Sequence, residues 1–202
     1  STVEDTPLVL TLEATDVDEN VLTYSAASEQ PNNVSVNITD NQLTLTPAIN
    51  WNGIVNISVS VSDGDLEDSE VFALTVTPVN DDPTIELPES FTFEEDGDLL
   101  VDFSDFVDDI DEDGLVLTVS GMVNVIVYID EFDVTFESAQ NFNGTETLTF
   151  TVNDNQGRAI ASDDVNVIVI PVNDAPVLAA IADTSTVEDT PLVLTLEATD
   201  VD

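Results

Sequence analysis

The side chains able to do chemistry in this chain are nearly all oxygen donors, and they recur in a fixed order. Glu4-Asp5 is echoed by Glu95-Asp96, Asp16-Val17-Asp18 by Asp109-Ile110-Asp111, and Asp63 by Asp154. Val79-Asn80-Asp81-Asp82-Pro83 is echoed by Val172-Asn173-Asp174-Ala175-Pro176. His and Cys are both absent. Soft metals, which want imidazole or thiolate, are therefore disfavoured. Carboxylates and amide carbonyls suit calcium, which takes six to eight oxygens at about 2.3–2.6 Å. Magnesium is a rival, but it keeps most of its waters and fits a crowded carboxylate set less well. A second reading stands beside the metal one. Loop aspartates and asparagines also cap turns by accepting from nearby backbone N–H groups. The acid-dense run from Asp105 to Asp113 reads either as an extra ion site or as a solvated charged loop.

Catalysis has little to work with. There is no His or Lys to act as a base and no Cys nucleophile; the one basic residue is Arg158, expected as a surface ion-pair partner. Two acids can hydrolyse a glycoside, but these acids fall in loops with no evident cleft between them. The expectation is that the protein is not an enzyme.

The elements that must position these donors are strands. Leu8, Leu10 and Leu12 alternate with Val9, Thr11 and Glu13; Val34, Val36 and Ile38 alternate with Ser35 and Asn37. Ile57, Val59 and Val61 alternate with serines, and Phe72, Leu74 and Val76 close the set. Period-2 runs rich in Val, Ile and Thr, broken by Asn, Asp, Gly and Pro, are half-buried strands. About seven precede Pro83 and a similar number lie between Phe91 and Pro171, which predicts an all-β chain of two seven-stranded sandwiches. The boundaries fall at residues 1–82 and 83–176, with 177–202 opening a further copy. Asn50-Trp51-Asn52-Gly53 and Asn141-Phe142-Asn143-Gly144 match in position, and Trp51 and Phe142 read as core plugs rather than as sugar-stacking platforms. The proline-ended segments are semi-rigid linkers, because proline fixes its own φ and extends the residue before it.

A longer repeat encloses the shorter one. Ser185–Asp202 reproduces Ser1–Asp18 without a change, so the chain reads as a window on a tandem array, which favours a mechanical or binding unit. Its 43 acidic residues against one basic residue exclude electrostatic binding to nucleic acid or an anionic membrane. Hydrophobic residues make up 42% of the chain and alternate cleanly, which argues against disorder. No apolar run reaches the length of a membrane span.

Glu4-Asp5-Thr6, a strand, Ala14-Thr15-Asp16-Val17-Asp18 and Val21–Ala26 resemble the opening half of a cadherin repeat. Asp63-Gly64, a last strand and Val79–Pro83 resemble its closing half. The whole chain resembles the cadherin-like tandem repeats of very large bacterial surface adhesins. That resemblance implies Greek-key, Ig/cadherin-like sandwiches joined end to end, with calcium ions between consecutive domains. It implies ligands Glu4, Asn80, Asp81 and Asp82 from one domain, with Asp109, Asp111 and Asp154 from the next. The following joint would use Glu95, Asn173 and Asp174 with Asp200 and Asp202. Asp16, Asp18 and Asp63 would face a preceding domain, and Glu188 repeats Glu4. Two departures reduce the expected number of ions to one or two per joint: Ile49-Asn50-Trp51-Asn52 replaces an acidic motif, and Pro78 stands where the family's linker begins with Asp. The implied function is a calcium-rigidified extender module of a secreted, cell-surface bacterial adhesin, acting in cell adhesion and biofilm. The alternative is a module that itself binds carbohydrate or another copy of itself. Its partners would be calcium ions, neighbouring repeats and, at a surface, a glycan or its own kind, with neither nucleic acid nor membrane insertion.

Overall fold

The computed structural model describes residues 1–157 and 160–201, so Arg158 and Asp202 lie outside the described residues. Among those residues there are strands, turns and loops and no helix. The chain divides into two units, Ser1–Asn80 and Asp81–Asp202.

The first unit holds β1 (Thr2–Val3), β2 (Leu8–Thr11), β3 (Thr23–Ser28), β4 (Val34–Thr39), β5 (Gln42–Pro47), β6 (Gly53–Ser62) and β7 (Glu67–Thr77). One sheet runs β1-β7-β6-β3 and the other β2-β5-β4. The alternation seen in the sequence decides which residues turn inward. Leu43 and Leu45 of β5 and Val34 of β4 meet Val55 and Ile57 of β6 and Leu74 and Val76 of β7 in one buried cluster. The two sheets therefore pack face to face as a sandwich. β1 is parallel to β7, pairing Thr2 with Val76, and this places Glu4 beside the residues that follow β7. Trp51 packs against the cluster's edge. Gly53 has φ +145° and would set a Cβ 3.0 Å from the Trp51 ring, so this corner requires glycine.

The second unit repeats the plan with β9 (Ser90–Glu94), β10 (Asp98–Asp102), β12 (Val116–Ser120), β13 (Val125–Asp130), β14 (Asp133–Ser138), β15 (Gly144–Asn153) and β16 (Ile160–Ile170). Its sheets are β12-β15-β16-β9 and β10-β14-β13, again with the first strand parallel to the last. The core here is aromatic. Phe103 and Phe150 lie 4.7 Å apart between ring centres, with Phe91, Phe106 and Phe136 around them. A further small pair, β8 (Thr84–Ile85) against β11 (Val107–Asp108), was not apparent from periodicity, because two-residue strands carry none. That pair sets the position of the acidic loop that starts at Asp109.

The repeated eighteen residues take two structures. In the first copy Leu8–Thr11 pairs with β5. In the second copy Leu192–Thr195 is not a strand, and residues 185–201 contribute only β18 (Ala198–Thr199), paired with β17 (Val177–Leu178). Leu192, Leu194 and Leu196 are exposed there. A strand of this pattern is held by a neighbour and a buried face rather than by its own propensity.

Candidate metal centre

The acidic loop of the second unit is folded by its own carboxylates. Asp109 accepts, through Oδ1, the backbone N–H groups of Asp111 at 3.0 Å and Asp113 at 3.3 Å. The N–H of Glu112 donates to the Asp109 carbonyl, and Glu112 sits at φ 58°. This tight wrap turns alternate side chains to one side. Asp109, Asp111 and Asp113 each present a carboxylate oxygen within 4.8 Å of the other two.

The surroundings tie down several of these oxygens. Asp111 Oδ2 accepts the N–H of Asp81 at 2.7 Å. Asp113 Oδ1 accepts from the Gln156 side-chain amide at 3.2 Å. The backbone N–H of Gln156 donates to Asp154 Oδ1 at 2.9 Å, so Gln156 links the buried Asp154 to the cluster. Asp109 Oδ2 differs from all of these: it is buried and has no hydrogen-bond partner. A buried, unsatisfied carboxylate oxygen costs a desolvation penalty of about 1–3 kcal/mol or more. Two carboxylates about 4 Å apart also repel by roughly 1 kcal/mol in bulk water and about 4 near a protein surface. A hard cation at this point would relieve both costs.

Asp113 was not among the residues singled out individually, although the signal was present. Asp109-Ile110-Asp111-Glu112-Asp113-Gly114 places acids at first, third and fifth positions with glycine sixth, the spacing used at the start of calcium loops. The twelfth position is Ser120, in β12, where an EF-hand has glutamate, so only the opening of that pattern is present.

The first unit builds the same loop with weaker donors. Asp16 Oδ1 accepts from Asp18 at 2.9 Å and Asn20 at 3.1 Å, and Glu19 sits at φ 59°. Asn20 takes the place of Asp113, and Asp18 is exposed. Asp63 accepts from the N–H groups of Leu66 at 2.7 Å and Asp65 at 2.8 Å. These two bonds hold its carboxyl below the usual carboxylate value.

Glu4 and Glu95 occupy equivalent buried positions. Each follows the first strand of its unit and accepts the N–H that opens a linker: Val79 for Glu4 and Val172 for Glu95. Their observed partners are thus backbone groups, which fix where the Asn-Asp segments begin. Asn80 and Asp82 are exposed. The Asn173 amide donates to the Asp174 carbonyl at 2.8 Å. Glu188 and Asp200 are exposed, and Asp202 lies outside the described residues.

Residues 1–77 match the model of a cadherin-like domain. The first unit is thus similar to a cadherin-like domain. Residues 80–169 match the model of a bacterial Ig domain, so the two matches fall on consecutive stretches of the chain. Human protocadherin-24 EC1-2 is 16% identical with a TM-score of 0.51, over 80% of this chain and 87% of that one. Mouse protocadherin-24 EC1-3 is 20% identical with a TM-score of 0.51, over 96% of this chain and 69% of that one. At such identity the likeness is one of fold. An endo-fucoidan hydrolase of glycoside hydrolase family 107 is 18% identical with a TM-score of 0.37, over 85% of this chain and only 27% of that one. No curated protein sequence matches it. Among the described residues no helix is long and apolar enough to cross a membrane.

Proposed function

We propose that this chain is a calcium-stiffened extender segment of an extracellular bacterial adhesin, without catalytic activity. The observation that carries the reading is the partnerless, buried Asp109 Oδ2 beside the carboxylates of Asp111 and Asp113. The all-oxygen donor set supports calcium over soft metals. The matched cadherin-like and bacterial Ig domains support an adhesion-type, extracellular setting.

In this reading the repeats are residues 1–82 and 83–176, with 177–202 beginning another. Asp109, Asp111, Asp113 and Asp154 bind an ion, with Asp81 and Asp82 of the same unit beside them, and Glu4 and Asn80 belong to the segment that leads into the linker. Glu95, Asn173 and Asp174 bind another with Asp200 and Asp202, while Asp16, Asp18, Asp63 and Glu188 serve neighbouring repeats. Without cation the gathered carboxylates repel and the linker flexes. With calcium the donors share one charge and the linker stiffens. Extracellular calcium modules of this sort bind at about 10⁻⁴–10⁻³ M. Small-angle scattering tests the idea. Adding calcium should lengthen the maximum dimension and narrow its distribution, and Asp109→Asn with Asp111→Asn should abolish that change. An unaltered scattering profile on chelation overturns it.

A further inference from the structure

The first unit has an open pocket where the second unit has a filled core. The pocket measures about 420 Å³, and Tyr24, Val59, Val61 and Phe72 form its apolar wall. Strand pairing aligns these four with Leu117, Phe150, Val152 and Val165 of the second unit. Those four are at most 6% exposed, whereas their counterparts in the first unit are only partly buried.

In the second unit residues 83–89 close this face. Ile85 is buried in the same core cluster as all four residues, and Leu87 packs on it. The N–H of Glu86 donates to the Phe106 carbonyl at 2.9 Å, and that of Leu87 to Asp163 Oδ2 at 2.8 Å. The chain then enters β9, which pairs with β16 over five residues.

The sequence holds a counterpart of this stretch. Residues 176–188 align with 83–95 without a gap, from proline to glutamate, so Leu178 stands at the place of Ile85 and Ala180 at that of Leu87. β17 pairs with β18 in the register that β8 uses with β11: Leu178 lies opposite Ala198 as Ile85 lies opposite Val107. The Ala179 N–H donates to the Glu197 carbonyl at 2.8 Å, as Glu86 does to Phe106. Leu178 is nevertheless 56% exposed where Ile85 is 8%. Glu197-Ala198-Thr199 repeats Glu13-Ala14-Thr15, and those three residues line the pocket of the first unit. One tripeptide therefore grips residues 177–179 in its second copy and borders an open pocket in its first.

Side-chain sizes match this occupant. The first unit has Tyr24 and Phe72 where the second has the smaller Leu117 and Val165, and residues 176–184 have Ala180 and Thr184 where residues 83–91 have Leu87 and Phe91. Keeping the summed volume constant is what a close-packed core requires. Glu70 lines the pocket at the place of Asp163, so its carboxylate can accept the Ala180 N–H. β1 pairs with β7 over only two residues, and a segment ending in Asp183 and Thr184 would lengthen that ladder as Ser90 and Phe91 do in β9.

We propose that this pocket is the seat of the linker leading into each copy of the repeat. A segment with the sequence of residues 176–184 lies against Glu13-Ala14-Thr15, seats its Leu178 on the core and extends β1. The contact is made in line within one chain. It makes the linker part of the sandwich that follows it, which leaves little more than residues 172–175 as free joint.

Placing the sequence of residues 176–184 directly before Ser1 of the whole chain tests this. Trp51, the sole tryptophan, packs on the first unit's core and reports its unfolding. The measurement is made with calcium chelated, so its outcome is independent of the calcium reading. The urea midpoint at Trp51 should rise by about 0.5–1 M, the gain from burying one leucine set against the denaturant slope of a small domain. The rise should be the same at all protein concentrations, and Leu178→Asp in the added segment should remove it. An unchanged midpoint overturns the proposal. So does a rise that survives Leu178→Asp, grows with protein concentration, or is reproduced by a scrambled segment of the same composition.

Discussion

Asp109 divides its two oxygens between different tasks. Oδ1 folds the loop by accepting from Asp111 and Asp113, and Oδ2 is buried with no partner. Asp109→Asn keeps a loop-folding acceptor and removes the charge. It should weaken calcium binding by about 10–100-fold in titration calorimetry, roughly 1.4–2.8 kcal/mol. Asp113→Asn should cost less, because Asp113 already accepts from Gln156 and the first unit carries Asn at the same place. A pH effect belongs to Asp63. The N–H groups of Leu66 and Asp65 depress its value in the folded state. Its contribution is therefore complete above the ordinary carboxylate pKa near 4 and is lost as pH falls through the lower folded value. Urea melts of wild type and Asp63→Asn should differ by a constant amount above about pH 5, and the difference should shrink only as pH falls below about 4 toward the lower folded value. The donor types and their order were legible in the sequence, because carboxylates at fixed spacing need no structure to be counted. What was not legible is which oxygen is left over. That depends on Gln156 and Asp81, which approach from distant points in the chain.

At the scale of elements, the long alternating strands were legible and the short ones were not. β6, β7, β15 and β16 run ten or eleven residues and alternate over much of that length. β8 and β11 have two residues each, yet they hold the acidic loop that starts at Asp109. The second copy of the repeated segment shows the same limit from the other side. Its Leu192–Thr195 sequence is identical to that of β2, yet these residues form no strand. The start of β13 depends on Glu146, whose carboxylate accepts from Val123 at 2.7 Å, Asn124 at 2.8 Å and Val125 at 3.3 Å. Glu146→Ala strands these donors and should destabilise the second unit by about 2–3 kcal/mol in chemical denaturation. The Trp51 corner offers a test in the first unit. Gly53→Ala meets both a positive φ and the indole ring, and should cost about 1–3 kcal/mol, read by fluorescence of the sole tryptophan.

For the whole molecule, the dominant fact is a net charge of −42 with a single basic residue. Self-repulsion of this size lowers the stability of a compact state and is relieved by cations. Screening by any salt and binding of calcium are separable. Calcium at about 100 times its dissociation constant adds about 2.7 kcal/mol per site. For a domain of this size that is an increase in melting temperature of roughly 10–20 °C, at 4–8 °C per kcal/mol. Sodium at matched ionic strength should give a smaller rise, and the Asp109→Asn chain should respond to calcium only as it does to sodium. Acidity alone was legible as a need for cations; whether they are held at a site depends on the loop that follows β11. A crystal structure of the chain grown in calcium tests that point most directly. The account predicts a peak stronger than water, about 2.3–2.6 Å from Asp109 Oδ2 and from carboxylate oxygens of Asp111 and Asp113. A calcium-saturated crystal with Asp109 Oδ2 still free of any ion would contradict it.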